Sequence, residues 1–148
     1  RNIAIDTSLD AFTHSIEGYL SKLDNSKVYP LIVESLSIII TEIRNNSVFD
    51  GELSKERLLW ASYLAGIVQN HCSTGLCHSI SHQLSIFGIG HGRLNAIFLP
   101  EVMRFNYSKD RNKLDKLSIE SIILNNNKKF IKYSKYLNSI YDLNISIK

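Results

Sequence analysis

An all-α domain, a helical bundle of about six to seven helices, is the fold the sequence predicts. Apolar residues recur at helical spacing through most of the chain, and alternating strand patterning is almost absent. Polar or glycine-bearing breaks such as SKLDNSK, NNSVFDGE and GIGHG separate the periodic stretches. With 148 residues and 44% apolar content, the chain is long enough for one core and too apolar for a disordered segment.

Residues 1 to 6 read as a connector or strand end with apolar Ile3 and Ile5. Thr7 is placed as the N-cap of a first helix over 8–21, with Asp10 in its first turn and Leu9, Phe12, Thr13, Ile16, Tyr19 and Leu20 at helical spacing. Pro30 suits the first turn of a second helix over 29–44, where Leu31, Val33, Leu36, Ile39, Ile40 and Ile43 make a largely buried element. Ser54 is placed as the cap of a third, with Glu56 in its first turn and Leu58, Leu59, Ala61, Tyr63, Leu64, Ala65 and Ile67 behind it. Ala61, Ala65 and Gly66 are small enough to admit a neighbouring helix closely.

A short helix over 76–87 and a longer one over 93–105 flank the GIGHG turn, and Pro100 should kink the second or mark its exposed side. The remainder reads as two more polar helices, 110–124 and 128–141, with Leu114/Leu117 and Phe130/Tyr133/Leu137 facing inward.

Composition narrows the function. The net charge is only +3, and the basic residues are scattered or sit among acids, which argues against a nucleic-acid partner. The apolar runs are too short for a membrane span, and the first residues lack the pattern of a signal peptide. Cys72 and Cys77 are the only cysteines, which favours a reduced, cytoplasmic setting. The chain opens on RNIAID without a methionine, and a piece of a longer protein is expected. No Walker motif and no G-x-G-x-x-G after a strand is present.

The chemistry is concentrated in two stretches. Four of the five histidines fall between His71 and His91, and the fifth, His14, lies four residues after Asp10. On a helix Asp10 and His14 share a face, as do His78 and His82. One carboxylate with three imidazoles suits Fe(II), Zn(II), Co(II) or Ni(II), and the expected ligands are Asp10, His14, His78 and His91. His82 could face the same cavity and move a proton, with Asn95 and Thr13 as supporting polar groups. A structural zinc site of Cys72, Cys77, His78 and His82 is a competing set, but it leaves Asp10, His14 and His91 unused. Cys77 paired with a histidine as thiol nucleophile and base is another alternative.

The segments LDAFTHSIEGYLS, LLWASYLAGIVQNHC, GLCHSISHQL and FGIGHGRLNAIFLPEVMRFN, in that order, resemble the C-terminal helical domain of the iron-containing, or group III, alcohol dehydrogenases over about residues 5 to 107. The resemblance implies an enzyme with a separate N-terminal α/β domain for NAD(H) or NADP(H) and a divalent metal held by the helical domain. The family's D-x3-H pair falls on Asp10 and His14, its GL-x-H histidine on His78, and its HG histidine on His91. The histidine one turn on falls on His82, which the family places beside substrate and nicotinamide as a proton relay.

The implied reaction is reversible hydride transfer between an alcohol or aldehyde and nicotinamide, for which the isolated chain is expected to be inactive. Three departures bear on the substrate. Gln83-Leu84-Ser85 replaces a usual Pro-Leu-Gly run, the path from His78 to His91 is one residue short, and Gly90 stands where proline is frequent. His71-Cys72-Ser73-Thr74 also replaces the usual small residues and asparagine. A dehydroquinate-synthase-like lyase would call for a more basic pocket than Arg93 and Arg104 offer. A non-catalytic helical interaction or scaffold domain would leave the two histidine stretches apart. Apolar faces covered by other parts of such an enzyme could drive a homo-oligomer.

Overall fold

A computed structural model describes residues 2–44, 51–113 and 116. The elements among the described residues are α1 Asn2–Leu20, α2 Tyr29–Arg44, α3 Glu52–Cys72, α4 Leu76–Leu84, the 3-10 turn Ser85–Phe87, and α5 His91–Lys109. No strand occurs among the described residues. The expected helices over 110–124 and 128–141, and their inward residues, lie outside the described residues apart from helical positions at 111–113 and 116.

The organising element is α1, which packs against α2, α3 and α5 and touches α4. Its inward stripe of Leu9, Phe12, Ile16 and Tyr19 is buried against Ile32, Leu36, Ile39 and Ile40 of α2, Ala61, Ala65 and Val68 of α3, and Leu99, Val102 and Met103 of α5 in one core. Burying each large apolar side chain of that kind contributes about 1.5–3 kcal/mol. Two polar links cross this core. The Ser15 hydroxyl lies 3.0 Å from that of Ser35, which donates to the Ala61 carbonyl at 2.9 Å and so ties three helices together.

Several boundaries differ from the sequence expectation. Residues 2–6 are the first turns of α1 rather than a connector or strand end, and Thr7 is not a cap: its hydroxyl donates back to the Ile3 carbonyl at 2.8 Å. Ser54 likewise lies inside α3, whose N-cap is Gly51 and whose first-turn acid is Glu52 rather than Glu56. The Ser54 hydroxyl is committed to the buried Glu42 carboxylate at 2.7 Å. In both places a hydroxyl taken for a helix start found another acceptor.

Leu59 and Tyr63 fall out of phase with the inward residues Leu58, Ala61, Leu64, Ala65 and Val68, and both are exposed. Gly66 is exposed too, with nothing near the position of an added Cβ. Ala61 and Ala65 are fully buried in the core as expected, and Gly18 of α1 adds a further close approach to α3, where a Cβ would stand 2.2 Å from Val68 Cγ1. Pro100 is buried within α5 rather than marking an exposed side. Among the described residues no helix is long and apolar enough to cross a membrane.

Candidate metal centre

Three helices meet where the ligand-grade residues converge. α1 supplies Asp10 and His14 one turn apart, α4 supplies His78 and His82 one turn apart, and the first residue of α5 is His91. The α5 start lies against α1 because Gly92 has no side chain: a Cβ there would stand 2.1 Å from the Asp6 carbonyl oxygen. Asp6 also pairs with Arg93 at 3.3 Å, so the first turn of α5 is clamped to α1 by charge as well as by contact.

The ligand atoms of Asp10, His78 and His91 all lie within 4.8 Å of one another. Asp10 Oδ1 is 3.3 Å from His78 Nε2 and 3.5 Å from His91 Nε2. The Asn95 amide, fully buried one turn into α5, donates to Asp10 Oδ1 at 2.6 Å and lies 3.1 Å from His91 Nε2. Asn95 is thus the polar support the sequence suggested, while the Thr13 hydroxyl turns back to the Leu9 carbonyl of its own helix.

His14 stands beside this group rather than within it. Its ring stacks on that of His78 at 4.2 Å and 19°. His82 is exposed on the open side, with its ring 4.8 Å from that of His91 and edge-on to His78 at 6.3 Å. His71 belongs elsewhere: it is exposed and its Nε2 lies 3.1 Å from the Asp24 carbonyl.

Glu17 was not singled out by sequence reasoning, although it follows Asp10 and His14 on the same helical stripe at i+7 and i+3. Its buried carboxylate accepts from Gly75 N–H at 2.8 Å, from Cys77 N–H at 2.6 Å, and from His78 Nδ1 at 2.6 Å. It therefore satisfies amides at the start of α4, where a negative charge also meets the positive end of the helix dipole.

The electrostatics follow from this crowding. Burial alone would push Asp10 and Glu17 upward, but hydrogen bonding to His78 and the other donors outweighs it and holds both carboxyls below their ordinary range. Burial would likewise depress His78, yet the Asp10 and Glu17 carboxylates raise it to about 9. Burial dominates for His14, lowered to about 4, and for His91, also lowered.

Cys72 and Cys77 are both free and buried. Burial raises the Cys77 thiol, and its Sγ donates to the Asn95 carbonyl at 3.3 Å, so it packs α4 on α5 as a neutral group. That environment opposes the thiolate needed either for a Cys/His zinc site or for a nucleophile.

The donor set fits a divalent cation. His78 Nε2 is buried and makes no well-aligned hydrogen bond, the Asp10 Oδ1 lying 3.3 Å away off the donor axis, so a polar atom is left incompletely satisfied inside the core. That atom faces a carboxylate oxygen and a second imidazole nitrogen, the mixed oxygen and nitrogen set that first-row divalent metals accept.

Comparison with known proteins agrees with this geometry. Residues 4–148 match the family described as "Fe-containing alcohol dehydrogenase family, C-terminal". The chain belongs to this family. Among curated relatives of the iron-containing alcohol dehydrogenase family, the NADPH-dependent butanol dehydrogenase of Clostridium saccharobutylicum is 31% identical over 140 residues, which cover 93% of this chain and 35% of that protein. The lactaldehyde reductase of Escherichia coli K12 is 36% identical over 101 residues, covering 68% of this chain and 26% of that protein.

The iron-containing alcohol dehydrogenase of Thermococcus thioreducens superposes with a TM-score of 0.86 at 29% identity, covering 96% of this chain and 38% of the other. The chain thus spans 35% and 26% of the lengths of those two curated relatives.

Proposed function

We propose that this chain is the metal-binding, substrate-side domain of an NAD(P)-dependent alcohol dehydrogenase or aldehyde reductase, cytoplasmic and joined in function to a nucleotide-binding domain. The observation that supports this best is the convergence of Asp10 Oδ1, His78 Nε2 and His91 Nε2, the His78 nitrogen being buried without a well-aligned hydrogen bond. Asp10, His78 and His91 would hold Fe(II) or Zn(II), with His14 as the fourth ligand. His14, whose ring stacks on that of His78 at 4.2 Å, would have to turn that ring to bring a nitrogen to the set. The chemistry supplied there is Lewis acidity toward an alcohol or aldehyde oxygen.

The chain's own residues shape the rest. His82 would exchange a proton between a substrate hydroxyl and water, a role supported by its exposure and by its ring lying 4.8 Å from that of His91. Asn95 holds the Asp10 carboxylate, and the Asp6–Arg93 pair holds the start of α5 against α1. Arg93 and Arg104 already face carboxylates, Asp6 and Glu101, which supports an alcohol or aldehyde over the phosphorylated substrate of a dehydroquinate-synthase-like reaction.

Anaerobic metal titration of the chain, with Asp10→Ala and His78→Ala variants, tests the reading. About one Fe(II) or Zn(II) per chain, lost in both variants, is the expected result for a joint site. Binding that survives in either variant would refute it.

A further inference from the structure

The side chain of Glu17 is 3% exposed, and its two oxygens receive three hydrogen bonds. Oε2 accepts from Gly75 N–H and from His78 Nδ1, and Oε1 accepts from Cys77 N–H. An ionised carboxylate can only accept, so the His78 nitrogen facing it carries the hydrogen. When the ring gives up its other proton to ligate a cation, its lone pair is therefore on Nε2, the atom directed at Asp10 and His91.

We propose that Glu17 is a positioning residue that selects Nε2 as the ligating nitrogen of His78 and ties divalent-cation binding to the first turn of α4. The proposal rests on the metal reading above and deepens it. A helix cap alone would need only the two amides. The third bond, at 2.6 Å to the ring, is the one that reaches toward the metal centre and fixes the ring's tautomer and tilt.

Gly75 belongs to the same device. A Cβ there would stand 2.8 Å from Glu17 Oε1 and 2.9 Å from its Cδ, and those atoms are held by their hydrogen bonds rather than free to swing away. The glycine before Leu76 is therefore the space in which a carboxylate from α1 reaches the ring on α4.

The test is a zinc(II) competition titration of the full chain and of Glu17→Gln, with Asp10→Ala as the ligand-loss control and the metal-free melting temperature measured on each. Glu17→Gln replaces a charged acceptor by a neutral amide with one acceptor oxygen, and zinc affinity should fall about 10- to 100-fold. A merely structural cap would lower the metal-free melting temperature and leave zinc affinity of the folded chain unchanged, which overturns the proposal.

Long-range 1H–15N spectra of the zinc-loaded wild type give a readout independent of whether the variant folds. His78 protonated at Nδ1 with zinc at Nε2 is expected, and zinc at Nδ1 overturns the assignment. A wild type that binds no zinc defeats the metal reading together with this one. Binding that is lost in Asp10→Ala and unchanged in Glu17→Gln defeats this one alone.

Discussion

Replacing Gly92 by alanine should damage the metal centre from outside the ligand set. A Cβ at that position would stand 2.1 Å from the Asp6 carbonyl oxygen, 2.8 Å from its carbon and 3.1 Å from Asp10 Cβ. The first two are backbone atoms inside α1 and cannot turn aside as the end of a side chain can. Ordinary contact begins at 3.4 Å, so α1 and the first turn of α5 must separate by about 1.3 Å (3.4 − 2.1).

Asp10 rides on one of those helices and His91 on the other, so their 3.5 Å separation widens with the same movement. Overpacking of this kind costs about 1–3 kcal/mol of stability. If about 1.4 kcal/mol of that loss falls on the metal-bound state alone, zinc affinity drops about tenfold. Urea unfolding of the metal-free chain and zinc competition titration measure the two effects separately. A Gly92→Ala variant with wild-type stability and wild-type zinc affinity would show that the close approach of α5 to α1 does not set the site.

Two further outcomes are expected. Ser73, which follows the last residue of α3, has φ 63° and ψ 177°, a region that suits glycine, so Ser73→Gly should raise stability by about 1 kcal/mol in urea unfolding; a loss would contradict the strain. The metal-free chain should also be most stable near neutral pH. His78, raised to about 9, stabilises fully below its unfolded value near 6.5 and loses that contribution as pH rises toward 9. His14, lowered to about 4, has its contribution above about 6.5 and loses it as pH falls toward 4. Unfolding curves at pH 5, 6.5 and 9 would reveal this, and stability flat across that range would refute it.

Much of the site was legible because ligand chemistry is carried by residue type and spacing. Asp10 and His14 lie a helical turn apart, and His78 and His82 do too, so each pair had to share a face wherever its helix ended up. Helix starts were less legible. Thr7 and Ser54 looked like caps because hydroxyls favour that position, but a hydroxyl inside a helix can equally donate to the carbonyl four residues back, as Thr7 does, or to a buried carboxylate, as Ser54 does. Glu17 escaped notice because an acidic residue on a helix usually marks a solvated face. Only the packing of α4 across α1 buries it and turns it into an acceptor for a ring and two amides.

The sequence by itself determined the helical class, since apolar periodicity is a local property of the chain, and it limited the candidate metal ligands to a few side chains in two stretches. The tertiary structure decided how they meet. Whether Asp10 faces His78 and His91, which nitrogen of His78 points into the site, and how closely α5 can lie on α1 all depend on residues far apart in the chain: Glu17 with His78, Asn95 with Asp10, Gly92 with Asp6. Those contacts are set by interhelical distances of a few ångströms, and no pattern within a single helix encodes them.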